Sequence, residues 1–412
     1  MEWPRLLNLS RLGDKDYVEK AERPIYVQDY DRIAFCAPFR RLAHKTQVHP
    51  LNDHDHIHHR LIHSIEVASV GRSLGMSIGH WLEEQDHAET GSKHIISGMV
   101  QAACLAHDIG NPPFGHSGEA AIGDWFKEKF DAPTGIFGGM EETKRPEFVA
   151  FTKYPVTSYV QTTANSDYCG LKKFGIFESE MGIFESTAEK LGLPKETSAN
   201  GSWWRRHPLV FLVEAADDIC YNILDIEDAY TSGDLSFTTV KEKLSPLAGA
   251  SNQAREHQTN EECIAEMRAR GIGAAIDACV DAFKANYSEI MDGTFSSSLI
   301  EVSNKSNEFT EIKELAKSRI FTAVRKTELE VLGRNTIHRV LNGVAPVFDE
   351  LHDENWNPEK LSNCNSQLVR ALRLDLRDVN DSYSALHALS DFVSGMTDRY
   401  SVSTAKMISG SG

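Results

Sequence analysis

The amino-acid sequence predicts an all-α fold with at most short β-hairpins. Apolar residues recur at spacings of three and four, close to the helical period, through several long segments of the chain. Strand-like alternation of apolar and polar residues is scarce, and the pattern allows short hairpins around residues 160–180. No internal repeat and no clear boundary divides the chain. We therefore expect a single large helical domain over residues 1–412.

The first two long helices are expected over residues 56–76 and 93–108. The first has two neighbouring apolar stripes, one through Leu61, Ile65 and Ala68 and the other through Val67, Val70 and Leu74. The second is mostly apolar, which indicates burial. Its pattern stops at Gly110, and the Pro112–Pro113 pair disfavours continuation of a helix.

Two further helices are expected later in the chain. One covers residues 117–130, with Ser117 in the position of an N-cap. The other covers residues 207–230, with Pro208 near its start. It is the most hydrophobic helix of the sequence, so the polar residues that it carries need a structural or chemical reason.

Composition and charge exclude several classes of protein. No run of about 18 apolar residues is present, which argues against a membrane span, and the charged N-terminus lacks the apolar core of a signal peptide. Seven cysteines without CxxC pairs indicate reduced thiols of a cytoplasmic protein. The net charge of −17 argues against a surface that grips nucleic acid, but it allows an anionic substrate in a locally cationic cleft.

An adjacent His107–Asp108 pair, followed by a loop rich in glycine and proline, indicates a metal site. Further ligands are available on other predicted helices: His63 lies among apolar neighbours, and Asp217 and Asp218 lie in the most hydrophobic helix, where an unpaired carboxylate is costly. Each of these residues alone is more typical of a hydrogen-bonded core, but their combination favours metal binding. Mixed nitrogen and oxygen ligands suit a divalent ion, with manganese or magnesium first and iron, cobalt or nickel also compatible.

Helical spacing selects one of the two aspartates. Asp217, Tyr221 and Asp225 are separated by four residues each and share one face of a helix, whereas Asp218 points about 100° away. We therefore assign Asp217 to the metal and the rest of its face to the wall of a substrate pocket. Arg60 precedes His63 by three residues, so the two side chains share one face of the helix. The guanidinium of Arg60 could therefore donate two hydrogen bonds to a phosphate beside the ion.

The loop after the metal pair contains Asn111, His116 and Glu119. A histidine in this position is suited to proton transfer, because its pKa is easily tuned, and a nearby carboxylate would orient it. Glu119 is equally suited to the first turn of a helix, and the two roles are compatible.

Two other motifs have simpler interpretations. The segment of residues 52–59 holds several histidines and could bind a second metal, but such runs often lie in solvent, and we favour that interpretation. Trp203 and Trp204 beside two arginines could stack on single-stranded DNA. Aromatic core packing is the simpler explanation for them, and it is the one that we favour.

Taken together, His63, His107–Asp108 and Asp217 resemble the ligand pattern of the HD-domain phosphohydrolase superfamily. The stretches FRRLAHKTQV, RLIHSIEVA, HDIGNPPFGHSGE, KYP, KFGIFESE, RHPLVFLVEAADDICY and GMTDRY are similar to the bacterial deoxyguanosine-triphosphate triphosphohydrolases. This resemblance covers about residues 30–230 and resumes at 391–400, with a looser match between them. It implies an α-helical HD catalytic core over about residues 30–230 and a C-terminal helical region, residues 231–412, that completes the site.

The resemblance also implies a reaction and a set of roles. Water attacks the α-phosphorus of a deoxynucleoside triphosphate, with dGTP preferred, and deoxynucleoside and inorganic triphosphate are released. The resemblance places a divalent metal on His63, His107, Asp108 and Asp217, and it makes His116 and Glu119 the catalytic pair. Substrate contacts are implied for Gln47 at the nucleoside, for Arg60, Asn111, Lys153 and Lys173 at the phosphates, for Tyr154 in the KYP motif, for Tyr221 and Asp225 under the deoxyribose, and for Arg399 at the active site or a subunit interface.

The implied partners are a dNTP substrate, a nucleotide or single-stranded DNA effector, and further copies of the chain in a hexamer or dimer. Two alternatives stay open: an HD phosphohydrolase of another nucleotide phosphoester or of single-stranded DNA, and a non-catalytic nucleotide sensor. Gln47, Tyr221 and Asp225 in their motifs speak against the first alternative. The intact His116, Glu119 and metal ligands speak against the second.

Overall fold

Helices make up most of the computed structural model, and the all-α prediction is confirmed. The structure describes residues 1–10, 17–18, 20, 22–47, 58–131, 134–137, 153–161, 167–249, 258–320 and 324–410. The α-helices, in chain order, are α1 (Trp3–Leu6), α2 (Ile25–Phe35), α3 (Ala37–Arg41), α4 (Arg60–Glu84), α5 (Ser92–Ala106), α6 (His116–Asp131), α7 (Ser158–Gln161), α8 (Met181–Leu191), α9 (Val210–Thr231), α10 (Phe237–Ala248), α11 (Asn260–Ala285), α12 (Tyr287–Asp292), α13 (Ser306–Leu315), α14 (Val324–Asp353), α15 (Asn363–Leu372), α16 (Ser382–Ser394) and α17 (Asp398–Ser409). Within the described ranges, none of these helices is long and apolar enough to cross a membrane.

A single antiparallel hairpin was found in the described part of the chain, and it lies later than the sequence pattern predicted. Its strands are β1 (Lys195–Ser198) and β2 (Gly201–Trp204), whereas the described residues near 160–180 form α7 and short helical turns. The described residues of that range therefore form no hairpin, and residues 162–166 lie outside the described ranges. Both tryptophans of β2, Trp203 and Trp204, are buried, so the interpretation of this pair as core packing is confirmed.

Helices α4 and α5 pack closely because glycines line their contact. A Cβ atom added to Gly75 would lie 2.8 Å from the Cα of Ser97, and one added to Gly79 would lie 2.5 Å from the Cα of Lys93. These positions therefore require the absence of a side chain. Of the two apolar stripes predicted on α4, the one through Val67, Val70 and Leu74 is buried, whereas Ile65 in the other is 44% exposed, which corrects that part of the prediction.

Buried apolar side chains form two clusters. The first core joins α4, α5 and α9 with α10, α11 and α13. The second core contains the buried faces of α6, α14, α16 and α17, including Trp125, Phe126 and Phe348. Residues 109–115 connect the last turn of α5 in the first core to α6 in the second. The prediction of one domain over the whole chain stays a prediction.

Helix α6 begins one residue earlier than expected. It starts at His116, so Ser117 lies inside the first turn and is not the N-cap that the sequence suggested. The preceding loop lies very close to the first turn of α6. A Cβ atom added to Gly118 would lie 1.9 Å from the carbonyl oxygen of Pro113. The loop therefore folds back over the first turn of the helix.

The start of α4 is fastened to α9 by His58. Its Nδ1 lies 2.6 Å from Oδ1 of the buried Asp228, its backbone N–H donates to Oδ2 of the same carboxylate at 3.3 Å, and its Nε2 lies 3.4 Å from Glu66. The hydrogen bond with Asp228, and then that with Glu66, raises the pKa of His58 to about 10. A protonated His58 therefore holds the first turn of α4 against α9.

We expect His58→Gln to destabilise the protein more at pH 6 than at pH 9.5. The pKa of His58 is raised from 6.5 to about 10 on folding, so its contribution is full below pH 6.5 and is lost as the pH rises towards 10. Thermal unfolding should show a Tm lower by roughly 5 °C at pH 6 and by much less at pH 9.5. His80→Gln, on the exposed face of α4, is the matched control. A penalty that is equal at both pH values would contradict the assigned ion pairs.

Candidate metal centre and active site

Four side chains from three segments converge on one point. His63 lies on α4, His107 follows the end of α5, and Asp108 comes next; their donor atoms all lie within 4.8 Å of one another. Asp217 on α9 completes the group, because its Oδ1 lies 3.0 Å from His63 Nε2 and 3.5 Å from His107 Nε2. The structure thus brings together the four residues that the sequence analysis assigned to a metal.

His107 is oriented as metal-binding histidines usually are. The Nδ1–H group of His107 donates to the carbonyl oxygen of Cys104 at 2.6 Å, which leaves Nε2 to face Asp217. His63 is 3% exposed, whereas 39% of the Asp217 side chain is exposed. The donors therefore have a buried side and an open side, and two imidazole nitrogens with two carboxylates fit a divalent cation.

Charge balance ties these donors together. Burial raises the pKa of Asp217, but hydrogen bonds and charge interactions with His107 and His63 outweigh it and hold that pKa well below its usual range. Burial likewise lowers the pKa of His107, but the hydrogen bond and charge of Asp217 raise it to about 9. A divalent cation would neutralise the same carboxylates, since metal ions and protons compete for such donors.

The neighbouring carboxylate, Asp218, points elsewhere. Its Oδ2 lies 3.7 Å from Nζ of Lys313 on α13, and burial raises its pKa to about 6. One step along an α-helix turns a side chain by about 100°, which separates the two environments. The geometry therefore places Asp217, and not Asp218, beside His63 and His107.

Arg60 links the metal donors to the loop of residues 109–115. Its Nη1 donates to both oxygens of Asp108, at 2.8 and 3.0 Å, and the side chain is almost fully buried. Asn111 donates to Asp108 Oδ1 at 3.1 Å. A Cβ on Gly115, whose φ is +59°, would lie 2.5 Å from Arg60 Nη2, so glycine lets the loop close over the guanidinium. Two of the four residues predicted at the phosphates, Arg60 and Asn111, thus hold the metal candidate Asp108 by hydrogen bonds.

His116 and Glu119 stand at the start of α6, one helical turn apart. Desolvation and the charges of Arg60 and Lys173 lower the pKa of His116, against the opposing charges of Glu119 and Asp108. His116 is therefore largely neutral at pH 7, the state required to accept a proton. The same interactions place Lys173 near His116.

Tyr221 and Asp225 lie on the Asp217 face of α9. They share a hydrogen bond, and burial followed by the charges of Asp225 and Asp217 raises the pKa of Tyr221. Among the described residues, Gln47 Oε1 and Asn111 Oδ1 are buried without a hydrogen-bond partner. Such atoms are costly to leave unsatisfied, so both suit contact with a bound molecule.

Three residues predicted at the substrate have other surroundings. Lys153 Nζ lies 2.8 Å from Glu214, which also pairs with the buried Arg206 at 3.0 Å. Tyr154 packs beneath the guanidinium of Arg206, 5.5 Å from its ring centroid. Arg399 is exposed on α17. Glu214 lies one helical turn before Asp217 on α9, so Lys153 reaches the helix that carries a metal donor, but its charge is paired there. The substrate roles of Lys153, Tyr154 and Arg399 stay predictions.

The sequence analysis missed two buried charged residues beside the site. Nζ of Lys45 donates to the carbonyl oxygens of Asn111 and Ser394, and the carboxylate of Asp398 accepts hydrogen bonds from Thr46 and Phe114. Both residues lie in quoted motifs, KTQV and GMTDRY, but their partners are distant in the chain. Residues 52–57 of the histidine-rich segment lie outside the described residues. His58 pairs with Asp228 and Glu66, so the interpretation that the run lies in solvent is wrong for this residue.

Comparisons with known proteins identify the family to which this chain is related. A family model described as HD domain matches residues 60–146, which contain three of the four metal candidates together with His116 and Glu119. A deoxyguanosinetriphosphate triphosphohydrolase-like protein of Pseudomonas aeruginosa (strain LESB58) is 34% identical over 100% of this chain and 99% of its own length. A protein of the same name from Synechocystis is 32% identical over 97% of each chain.

A more distant relative carries the unqualified name. The deoxyguanosinetriphosphate triphosphohydrolase of Yersinia pseudotuberculosis is 24% identical over 91% of this chain and 92% of its own length. The similarity therefore extends over nearly the whole chain and is not confined to the segment that carries the metal candidates. The chain belongs to the deoxyguanosinetriphosphate triphosphohydrolase-like family of HD-domain proteins.

Proposed function

We propose that the protein is a metal-dependent hydrolase of deoxynucleoside triphosphates that releases deoxynucleoside and inorganic triphosphate, with dGTP preferred. The observation that carries the proposal is the convergence of His63, His107, Asp108 and Asp217 beside a largely neutral His116. The names of the full-length relatives support the same substrate class. Manganese or magnesium is the proposed cofactor.

The residues of the site have distinct roles in this reaction. A divalent cation held by the four donors supplies Lewis acidity towards the phosphate oxygens. Arg60 and Lys173 add positive charge against the triphosphate. His116 takes a proton from the attacking water as its oxygen bonds to the α-phosphorus, and the bond from phosphorus to the 5′-oxygen breaks. The same proton then passes to the 5′-oxygen, while Glu119 stabilises the imidazolium between the two transfers.

Selectivity for the deoxy sugar is assigned to Tyr221 and Asp225. Their side chains share a hydrogen bond on the Asp217 face of α9, and Asp225 is buried. A ribose 2′-hydroxyl that packs against Tyr221 would meet a phenol that already bonds to Asp225, which costs binding energy. The buried Gln47 Oε1 offers an acceptor to the nucleoside.

The proposal extends to assembly and location. Ile62, Ile65 and Met76 expose apolar surface on α4, which is compatible with a homo-oligomer, a hexamer or dimer. All seven cysteines are free thiols, as expected for a cytoplasmic protein. A nucleotide or single-stranded DNA effector stays part of the proposal.

The test is product analysis. Purified protein is incubated with each of the four dNTPs, with their mixture and with GTP, in Mn²⁺ or Mg²⁺, and the products are separated. We expect deoxynucleoside and triphosphate, at a rate with dGTP that exceeds the rate with GTP by roughly 100-fold or more. Monophosphate with pyrophosphate would overturn the proposed bond cleavage. Absence of turnover in every mixture would favour a nucleotide sensor.

A further inference from the structure

We propose that Asp398 is a positioning residue that holds the catalytic histidine in register with the metal donors by joining the two hydrophobic cores. The proposal rests on the proposed function, because it takes His116 as the proton-transfer residue. The residues concerned, Thr46, Phe114 and Asp398, are called the Asp398 junction below.

The need for such a junction follows from where the site residues are anchored. The metal donors belong to α4, the end of α5, and α9, which pack in the first core. His116 is the first residue of α6, whose buried residues Ile122, Trp125 and Phe126 belong to the second core. Packing within either core alone therefore does not fix the distance between His116 and the metal donors.

Asp398 connects both cores through one buried carboxylate. It is the first residue of α17, which contributes to the second core, and it is 2% exposed. Its Oδ2 accepts from the Thr46 hydroxyl at 2.7 Å and from the Thr46 backbone N–H at 3.1 Å. Thr46 forms a backbone bridge with His59, which directly precedes Arg60 at the start of α4. The contact of Asp398 with Thr46 is therefore linked to the helix that carries the metal candidate His63.

The other oxygen of Asp398 holds the loop. Oδ1 accepts from the backbone N–H of Phe114 at 2.9 Å. Phe114 has a φ of +64°, a left-handed conformation that is uncommon for a bulky side chain, and its buried ring packs against Gly333 of α14. Gly115 and His116 follow at once, so the orientation of the Phe114 peptide sets where the imidazole of His116 emerges.

Lys45 reinforces the other end of the same loop. Its buried Nζ donates to the carbonyl oxygen of Asn111 at 2.5 Å and to that of Ser394, at the end of α16, at 2.6 Å. Adjacent residues, Lys45 and Thr46, thus reach the two ends of the GMTD segment. The loop of residues 109–115 is therefore held at Asn111 by Lys45 and at Phe114 by Asp398. Two anchors on one short loop indicate that its position matters, and not only the stability of the surrounding helices.

The test compares Asp398→Asn with Asp378→Asn, which changes an exposed carboxylate between α15 and α16. An amide keeps the size of the side chain but cannot accept from both Thr46 and Phe114. We expect kcat to fall by roughly 10- to 100-fold, with KM and the Kd for Mn²⁺ changed less than about twofold. Hydrogen exchange should accelerate in residues 109–118 and stay unchanged in α5 and α9. Asp378→Asn should match the wild type throughout.

Thr46→Val and Thr46→Ser provide a milder series in case Asp398→Asn does not fold. Valine deletes only the hydroxyl contact, so a smaller loss of kcat and faster loop exchange are expected, and serine should restore both. Unchanged loop exchange and kcat in the folded variants would overturn the proposal, as would a loss of Mn²⁺ binding in parallel with kcat. If the wild type hydrolyses no dNTP, the proposed function fails, but loop exchange still decides whether the junction orders the loop.

Discussion

Replacing His116 with alanine is expected to lower kcat by about 10²- to 10⁴-fold, the range that general acid–base catalysis contributes. The reason is that His116 is placed to accept the proton of the attacking water and is kept largely neutral by desolvation and by Arg60 and Lys173. Mn²⁺ affinity should be unchanged, because the metal donors lie on α4, at the end of α5 and on α9.

The measurement is single-turnover hydrolysis of dGTP together with Mn²⁺ titration of the same preparations. His94→Ala, which removes an exposed histidine of α5, is the matched control and should have wild-type activity. Because the pKa of His116 is lowered from 6.5, the wild-type rate that depends on the neutral imidazole should persist at pH 7 and fall at lower pH. A variant that retains the full rate would remove His116 from the reaction and leave proton transfer to another group.

The helices that carry the metal donors could be predicted because their local signals agree. Helices α5 and α9 each combine helical periodicity with a proline near one end, and α5 stops before the two prolines of the loop. Helix α4 has the periodicity but no such break, and it extends to Glu84, eight residues beyond the predicted end. The start of α6 was misplaced, since Ser117 is a good capping residue by type. The fold of residues 113–118, where Pro113 packs on Gly118, determines that start, and residue preference at one position does not reveal it.

The metal site was easier to predict than the rest of the active site. Histidines and aspartates in apolar helices are costly without partners, so their presence in several helices indicates a shared purpose even without a structure. The ion-pair partner of a lysine such as Lys153 cannot be predicted in this way, because a lysine in a polar segment has no cost that demands a particular partner. Many carboxylates are available in a chain with a net charge of −17, and only the fold determines that Glu214 is the one it meets.

The partner of Asp398 is likewise set by the fold alone, so the sequence predicted a role for Arg399 and none for Asp398. An arginine in a motif invites a phosphate-binding role, whereas an aspartate at the first position of a helix is expected to be a solvent-exposed acid. The tertiary structure reverses this order, because Arg399 is exposed and Asp398 is buried under the loop that carries His116. The metal donors pack in the first core and His116 begins a helix of the second core. Helical periodicity shows which face of a helix is buried, but it does not show against which core that face packs.

Replacing Asp217 with asparagine is expected to weaken Mn²⁺ binding by at least about 100-fold and to abolish measurable hydrolysis. The carboxylate is the acidic donor that faces both histidines, at 3.0 Å from His63 and 3.5 Å from His107. Asparagine keeps the shape of the side chain but removes the negative charge through which the carboxylate attracts a divalent ion, and a neutral amide oxygen is a weaker ligand. Direct Mn²⁺ titration, with activity measured over a range of Mn²⁺ concentrations, separates lost binding from lost chemistry.

Asp218→Asn is the control that makes this prediction specific. It changes the same side chain one position along α9, in a carboxylate that already has a raised pKa of about 6 and faces Lys313. Metal affinity should therefore stay within about twofold of the wild type, since Asp218 points about 100° away from the donors. Equal losses in both variants would show that the negative charge of the helix as a whole attracts the ion. A loss confined to Asp218→Asn would show that Asp218, and not Asp217, is the fourth metal donor. The proposed position of the substrate against Tyr221 would then also be wrong.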